Sequence, residues 1–122
     1  MSTNPDNQTL EYYVASKGGL VIITLVGAFK DCEATVAKCI ADVVSANAQH
    51  CIIYARDMTA LPPSAFKDMV HLQNTLRQQF GGNFKICSLN PTLKVNLLAK
   101  GIVRQHELTN NLKETVFSLL KK

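Results

Sequence analysis

The apolar residues of this chain fall into short runs at two different periods. Leu10–Ala15 and Leu20–Val26 are rich in Tyr, Val, Ile and Leu, and Lys17-Gly18-Gly19 between them has turn composition. Together they predict a β-hairpin, with Gly27 at its end. From 31 to 47 the apolar residues Val36, Ile40, Val43 and Val44 recur at helical spacing, with Asp31 as a cap. Cys51–Ala55 is a β-branched, apolar run that predicts a buried central strand, followed by a loop over Arg56–Pro63.

Ser64–Phe80 carries the clearest helical pattern. Phe66, Met69, Val70, Leu72, Leu76 and Phe80 make an apolar side, and Ser64, Lys67, Asp68, His71, Thr75 and Gln78 make a polar stripe opposite. Gly81-Gly82 ends it, and Asn83–Leu89 predicts another strand. Asn90-Pro91 joins a capping residue to a proline at the first helical position, and Gly101 stops the helix they start. A short extended segment is expected within Ile102–Leu108. Asn111 and Glu114 then have the spacing of a capping box for a last helix, with Leu112, Val116, Leu119 and Leu120 facing inward. The order is β-β-α-β-α-β-α-(β)-α. It predicts an α/β domain over residues 10–122, with a mixed, mostly parallel sheet of four to five strands, the first at an edge, and about four helices. Residues 1–9 are polar and predict a flexible tail.

Composition narrows the function classes. The chain has 122 residues, 47% of them hydrophobic and 18% charged, which is the make-up of one folded domain. No signal-peptide pattern opens it, and Leu20–Val26 is far too short to span a bilayer, so a cytoplasmic protein without membrane insertion is expected. The net charge of +4 resides wholly in residues 94–122, where Lys94, Lys100, Arg104, Lys113, Lys121 and Lys122 outnumber Glu107 and Glu114. Such a bias attracts nucleic acid or an acidic protein surface. It also suits a solvated face with lysines near a helix end, and no nucleic-acid partner is expected.

Cys32, Cys39, Cys51 and Cys87 form no Cys-x-x-Cys pair and lack histidines at ligand spacing. They read as reduced, buried residues, with Cys32 and Cys39 on one inward helix face, and no metal is expected. His50, His71 and His106 have no neighbouring nucleophile or carboxylate arrangement and read as surface histidines. Phosphate-binding glycine loops and the nucleophile elbow are missing, so neither an enzyme nor a cofactor is expected.

Several local motifs, in order, resemble the STAS (anti-sigma-factor antagonist) family over residues 10–120. Leu20-Val-Ile-Ile-Thr-Leu-Val-Gly27 is similar to its second strand, and Cys51-Ile-Ile-Tyr-Ala-Arg-Asp57 to its central strand. Asn83-Phe-Lys-Ile-Cys-Ser-Leu-Asn-Pro91, then the helix ending at Lys100-Gly101-Ile102, is similar to its characteristic third helix followed by the last segment. The family's Asp-Ser-Ser-Gly motif carries a serine phosphorylated by a partner kinase. Here the matching stretch is Pro62-Pro63-Ser64-Ala65, so Ser64 falls on the phosphoacceptor while the preceding Asp and following Gly are missing.

The resemblance implies a bacterial regulator of transcription that works by partner switching. It would bind an anti-sigma factor/serine kinase and release it when Ser64 is phosphorylated. As a residue type, Ser64 suits a helix cap alone or a cap that is also a regulatory site. The expected partner-binding surface comprises Asp57, Pro62, Pro63, Ser64, Lys67, Asp68 and His71, at the end of the domain where the parallel strands have their carboxyl ends. The alternative is a STAS-fold subunit without a phosphoswitch, in a lipid-transport or sensory assembly. Self-association is left open.

Overall fold

The structure is a computed structural model that describes residues 10–28, 33–60 and 65–120. Five strands form one sheet in the order β1-β2-β3-β4-β5: β1 Glu11–Lys17, β2 Leu20–Ala28, β3 His50–Ala60, β4 Phe84–Cys87 and β5 Leu108–Thr109. The helices are α1 Glu33–Ser45, α2 Phe66–Phe80, α3 Pro91–Ala99 and α4 Leu112–Leu120. β1 is antiparallel to β2 at one edge, and β2 to β5 are mutually parallel. This is the expected α/β architecture, with the first strand at the edge.

The hairpin closes on the pair Lys17–Leu20, with Gly18 and Gly19 at φ 61 and 82. Two successive positive φ values give the turn whose twist matches the strands it joins, and two glycines adopt it without strain. α1 stops earlier than its apolar period suggests, because Asn47 takes φ 53 and turns the chain out of the helix.

The sheet has a different cover on each face. Val21, Ile23 and Leu25 of β2, Cys51, Ile53 and Ala55 of β3, and Phe84 and Ile86 of β4 pack with Val36, Cys39 and Val43 of α1. Met69, Leu72, Leu76 and Phe80 of α2 and Leu97 of α3 complete that core, with Phe66 partly buried against it. On the opposite face Leu20, Ile52 and Cys87 meet Leu119 of α4, flanked by Ile22, Tyr54, Leu112 and Val116. Cover on both faces explains why β2 reads as an almost unbroken apolar run. Cys39, Cys51 and Cys87 are buried as expected, and Cys32 lies outside the described residues.

Four expected boundaries are corrected. Arg56–Ala60 is strand, not loop: after Tyr54 opposite Thr24, β3 continues to pair Asp57 with Val26, Met58 with Gly27 and Ala60 with Ala28. Gly27 therefore lies inside β2, at φ 96 beside the second of two register shifts. Backbone pairing with β2 overrides the polar composition of Arg56-Asp57, which alone looks like a loop. The extended segment expected within Ile102–Leu108 is β5, Leu108–Thr109, preceded by a 3₁₀ turn at Gln105–Glu107. Ile102 and Val103 are buried by packing, not by strand pairing. The strand expected over Asn83–Leu89 is limited to Phe84–Cys87, since Ser88 at φ 60 takes the chain out of the sheet.

Candidate partner-binding surface

Parallel strands gather their carboxyl ends on one side of the sheet, and the chain leaves each of β2 to β5 there to enter the helix that follows. β4 ends at Cys87, opposite Tyr54. β3 runs on to Ala60, paired from there only with β2. The two strands project past β4 as a narrow ledge.

On that ledge the first register shift in β3 changes which residues face out. Ala55 is fully buried, Arg56 and Asp57 are both exposed, and Met58 is buried again. A regular strand would send neighbours to opposite faces; the extra residue of the bulge lets two consecutive polar side chains reach solvent. Arg56 Nε lies 3.2 Å from Asp57 Oδ1 and Nη2 lies 3.3 Å from Oδ2, while the guanidinium stands 5.4 Å from the Tyr54 ring centre. The hydrogen bond to Asp57, then its charge, raises the Arg56 pKa above its ordinary value. Asp57 is thus engaged by its neighbour. A pair this exposed adds little to stability and leaves both groups available to a partner.

α2 begins beyond the ledge. Its N-cap position falls on Ala65, which makes no side-chain capping bond. The cap expected at Ser64 lies, with Pro62 and Pro63, outside the described residues. Lys67 and His71 are exposed one helical turn apart, and Asp68 beside them is half-buried. Lys67, Asp68 and His71 form no ion pair among the described residues.

Two features of this surface were not read from the sequence. Lys100, just past α3, sets its ammonium 5.3 Å from the centre of the Phe66 ring, tying the end of α3 to the first turn of α2. In addition, α3 carries an exposed side made of Pro91, Thr92, Val95, Asn96 and Ala99, with Val95 68% exposed. The signal was present: Leu93, Val95, Leu97, Leu98 and Ala99 crowd apolar residues around the whole of a nine-residue helix, of which only one side, at Leu97, reaches the core. The helix is well anchored, because Asn90 Oδ1 accepts from the backbone N–H of Thr92 at 2.8 Å and of Leu93 at 3.4 Å.

No group of metal-binding side chains occurs among the described residues. His71 and His106 are exposed, while His50, at the first position of β3, is half-buried with Nδ1 enclosed. None of the helices searched is long and apolar enough to cross a membrane.

No family model matches the sequence, and no curated protein matches it. Solved structures do. An anti-sigma factor antagonist from Mycobacterium paratuberculosis superposes with a TM-score of 0.73 at 15% identity, over 97% of this chain and 98% of that one. The anti-sigma factor antagonist SpoIIAA in its unphosphorylated form gives 0.70 at 13% identity, over 92% and 98%. SLC26A9 gives 0.65 at 14% identity, over 84% of this chain but only 20% of that longer one. The fold is that of the anti-sigma factor antagonists, a STAS-type fold, matched over nearly the full length of the first two proteins.

Proposed function

We propose that this chain is a regulatory protein–protein interaction module of the anti-sigma-factor antagonist kind, acting in the cytoplasm on an anti-sigma factor with serine-kinase activity. The partner would contact Asp57, Pro62, Pro63, Ser64, Lys67, Asp68 and His71, together with the exposed side of α3. One observation carries this reading: the first turns of α2 present solvent-facing Lys67 and His71, and the Phe66–Lys100 contact ties them to the end of α3, whose Val95 is also solvent-facing. Apolar area rimmed by polar groups is the make-up of a binding surface.

Phosphorylation of Ser64 would switch the contact off. A phosphate adds about 1.5 to 2 negative charges, which have to be desolvated at the interface. ATP and the transfer chemistry belong to the kinase in this reading, so the chain needs neither catalytic residues nor a cofactor. The proteins of like fold named as anti-sigma factor antagonists support it, as does the existence of SpoIIAA in unphosphorylated and phosphorylated forms.

A second reading keeps the surface and drops the switch: a fixed subunit of a lipid-transport or sensory assembly. It is favoured by Pro63 and Ala65 standing where the phosphorylated motif has its polar and glycine neighbours. The occurrence of the fold as one fifth of SLC26A9 agrees with it. Affinity capture from native lysate with and without ATP, followed by mass spectrometry of partner and chain, separates the two. An ATP-dependent loss of partner together with phosphate on Ser64 supports the switch; a partner retained with Ser64 unmodified supports the fixed subunit.

A further inference from the structure

The other open feature of the molecule lies at the far edge of the sheet. β1 pairs with β2 on one side and with no strand among the described residues on the other. Its side chains divide cleanly. Tyr12 and Val14 pack toward the core under α1, and Glu11, Tyr13, Ala15 and Lys17 share the opposite, exposed face.

The backbone divides as well. The two-residue turn makes Lys17–Leu20 the closing pair, which exchanges both backbone hydrogen bonds. Counting back in twos, Glu11, Tyr13, Ala15 and Lys17 spend their backbone groups on β2. Tyr12, Val14 and Ser16 direct theirs to the open edge, a row of unpaired donors and acceptors that a further strand can complete.

We propose that this edge is a homodimer interface, in which β1 pairs antiparallel with β1 of a second copy about a two-fold axis at Val14. In that register Val14 faces its own counterpart and Tyr12 faces Ser16, so every edge-directed backbone group meets another. The exposed face then brings Glu11 of each copy opposite Lys17 of the other, and Tyr13 opposite Ala15. The ends of β1 carry opposite charges on one face, so the strand complements itself only when reversed. Parallel pairing would set Glu11 against Glu11 and Lys17 against Lys17. A slide by two residues keeps the backbone bonds and loses both ion pairs. Edge charges that commonly prevent pairing here select one alignment. The inference uses no residue of α2 or α3 and stands apart from the function proposed above.

Sedimentation equilibrium of the full chain over a concentration series tests it. The parent chain is expected to dimerise reversibly. Glu11→Lys and Lys17→Glu each turn two opposite-charge pairs into like-charge pairs and should weaken the dimer about tenfold. The double variant E11K/K17E exchanges the charges and should recover to within about threefold of the parent. Val14→Pro removes an edge-directed N–H without touching the β2 ladder and should give a monomer with an unchanged circular dichroism spectrum. If that variant misfolds, the three charge variants decide alone. A parent chain that stays monomeric into the millimolar range overturns the inference, an edge reserved for another protein's strand included. So does a dimer indifferent to the single charge changes, or one that the double variant fails to restore.

Discussion

Arg77 of α2 grips Glu107 with two parallel hydrogen bonds, Nε to Oε2 at 2.6 Å and Nη2 to Oε1 at 2.9 Å. The carboxylate also accepts from the Arg104 backbone N–H at 3.2 Å, and Arg77 reaches the Ile102 carbonyl at 3.4 Å. The Glu107 side chain is 3% exposed and that of Arg77 15%. The pair fastens the 3₁₀ turn before β5 to the second half of α2, 30 residues away. No strand pairing holds residues 102–107, so this clamp and the burial of Ile102 and Val103 set the path of the chain there.

Removing one partner of that clamp should be costly, because the other charge is left enclosed. Arg77→Ala is expected to destabilise by about 3 kcal/mol, toward the low end for a buried pair since Arg77 keeps some exposure. A double Arg77→Met, Glu107→Leu variant should recover most of this. Burial alone would raise the Glu107 pKa; the hydrogen bonds from Arg77 and Arg104 and the Arg77 charge outweigh it and hold the carboxyl below its ordinary 4.5. A lowered folded-state pKa means that the contribution is complete above the unfolded value and is lost as pH falls through the folded one. Urea titrations at pH 7 and pH 3 should show a loss in the parent that Glu107→Gln lacks.

The proposed partner surface predicts a pattern among variants. Ser64→Glu, Lys67→Glu and Val95→Asp should each weaken partner binding at least tenfold, in line with charge placed in a desolvated contact, while Ser64→Ala retains binding. Circular dichroism serves as the fold control. If Ser64→Glu and Lys67→Glu bind like the parent in a titration, the interface lies elsewhere.

Tyr12 donates to Asp42 across the gap between β1 and α1, at 2.5 Å. That hydrogen bond first, then slight burial and the Asp42 charge, push its pKa from 10.0 up to about 12. In an ultraviolet titration Tyr12 should therefore ionise well above pH 10. Asp42→Asn should bring it back toward 10. A titration curve that Asp42→Asn leaves unchanged would contradict the contact.

Cys39, Cys51 and Cys87 are each at most 2% exposed. Burial, followed by the nearby Asp42 charge, pushes the Cys39 thiol up to about 12, and burial likewise raises Cys51. Thiolate is the reactive form, so Cys39 and Cys51 should resist iodoacetamide at pH 8 in the folded protein and react together on denaturation. Peptide mapping of alkylated protein reads this directly; labelling of Cys51 in the native state would place β3 at the surface and contradict the sheet order.

The chain order of strands and helices, the edge hairpin and the buried face of α2 were all legible in the sequence, because they rest on local signals. Residues 11–17 and 20–28 carry strand formers around two glycines, Met69, Leu72, Leu76 and Phe80 recur at the helical period, and Asn90 and Asn111 announce their helices with caps. What escaped depends on residues far apart in the chain. Arg56-Asp57 has loop composition, and only pairing with Val26 and Gly27 makes it strand and gives it the bulge that exposes both side chains. Glu107 counts in the sequence as one more charge of the basic C-terminal stretch, and only Arg77 closing over it buries it; likewise only the packed α3 shows that Val95 faces solvent. Period and capping are properties of a few neighbouring residues, so a linear sequence carries them in full. Which of several apolar sides is covered, and which charge finds a partner, is decided by the competition of all elements for one core, and only the assembled sheet settles it.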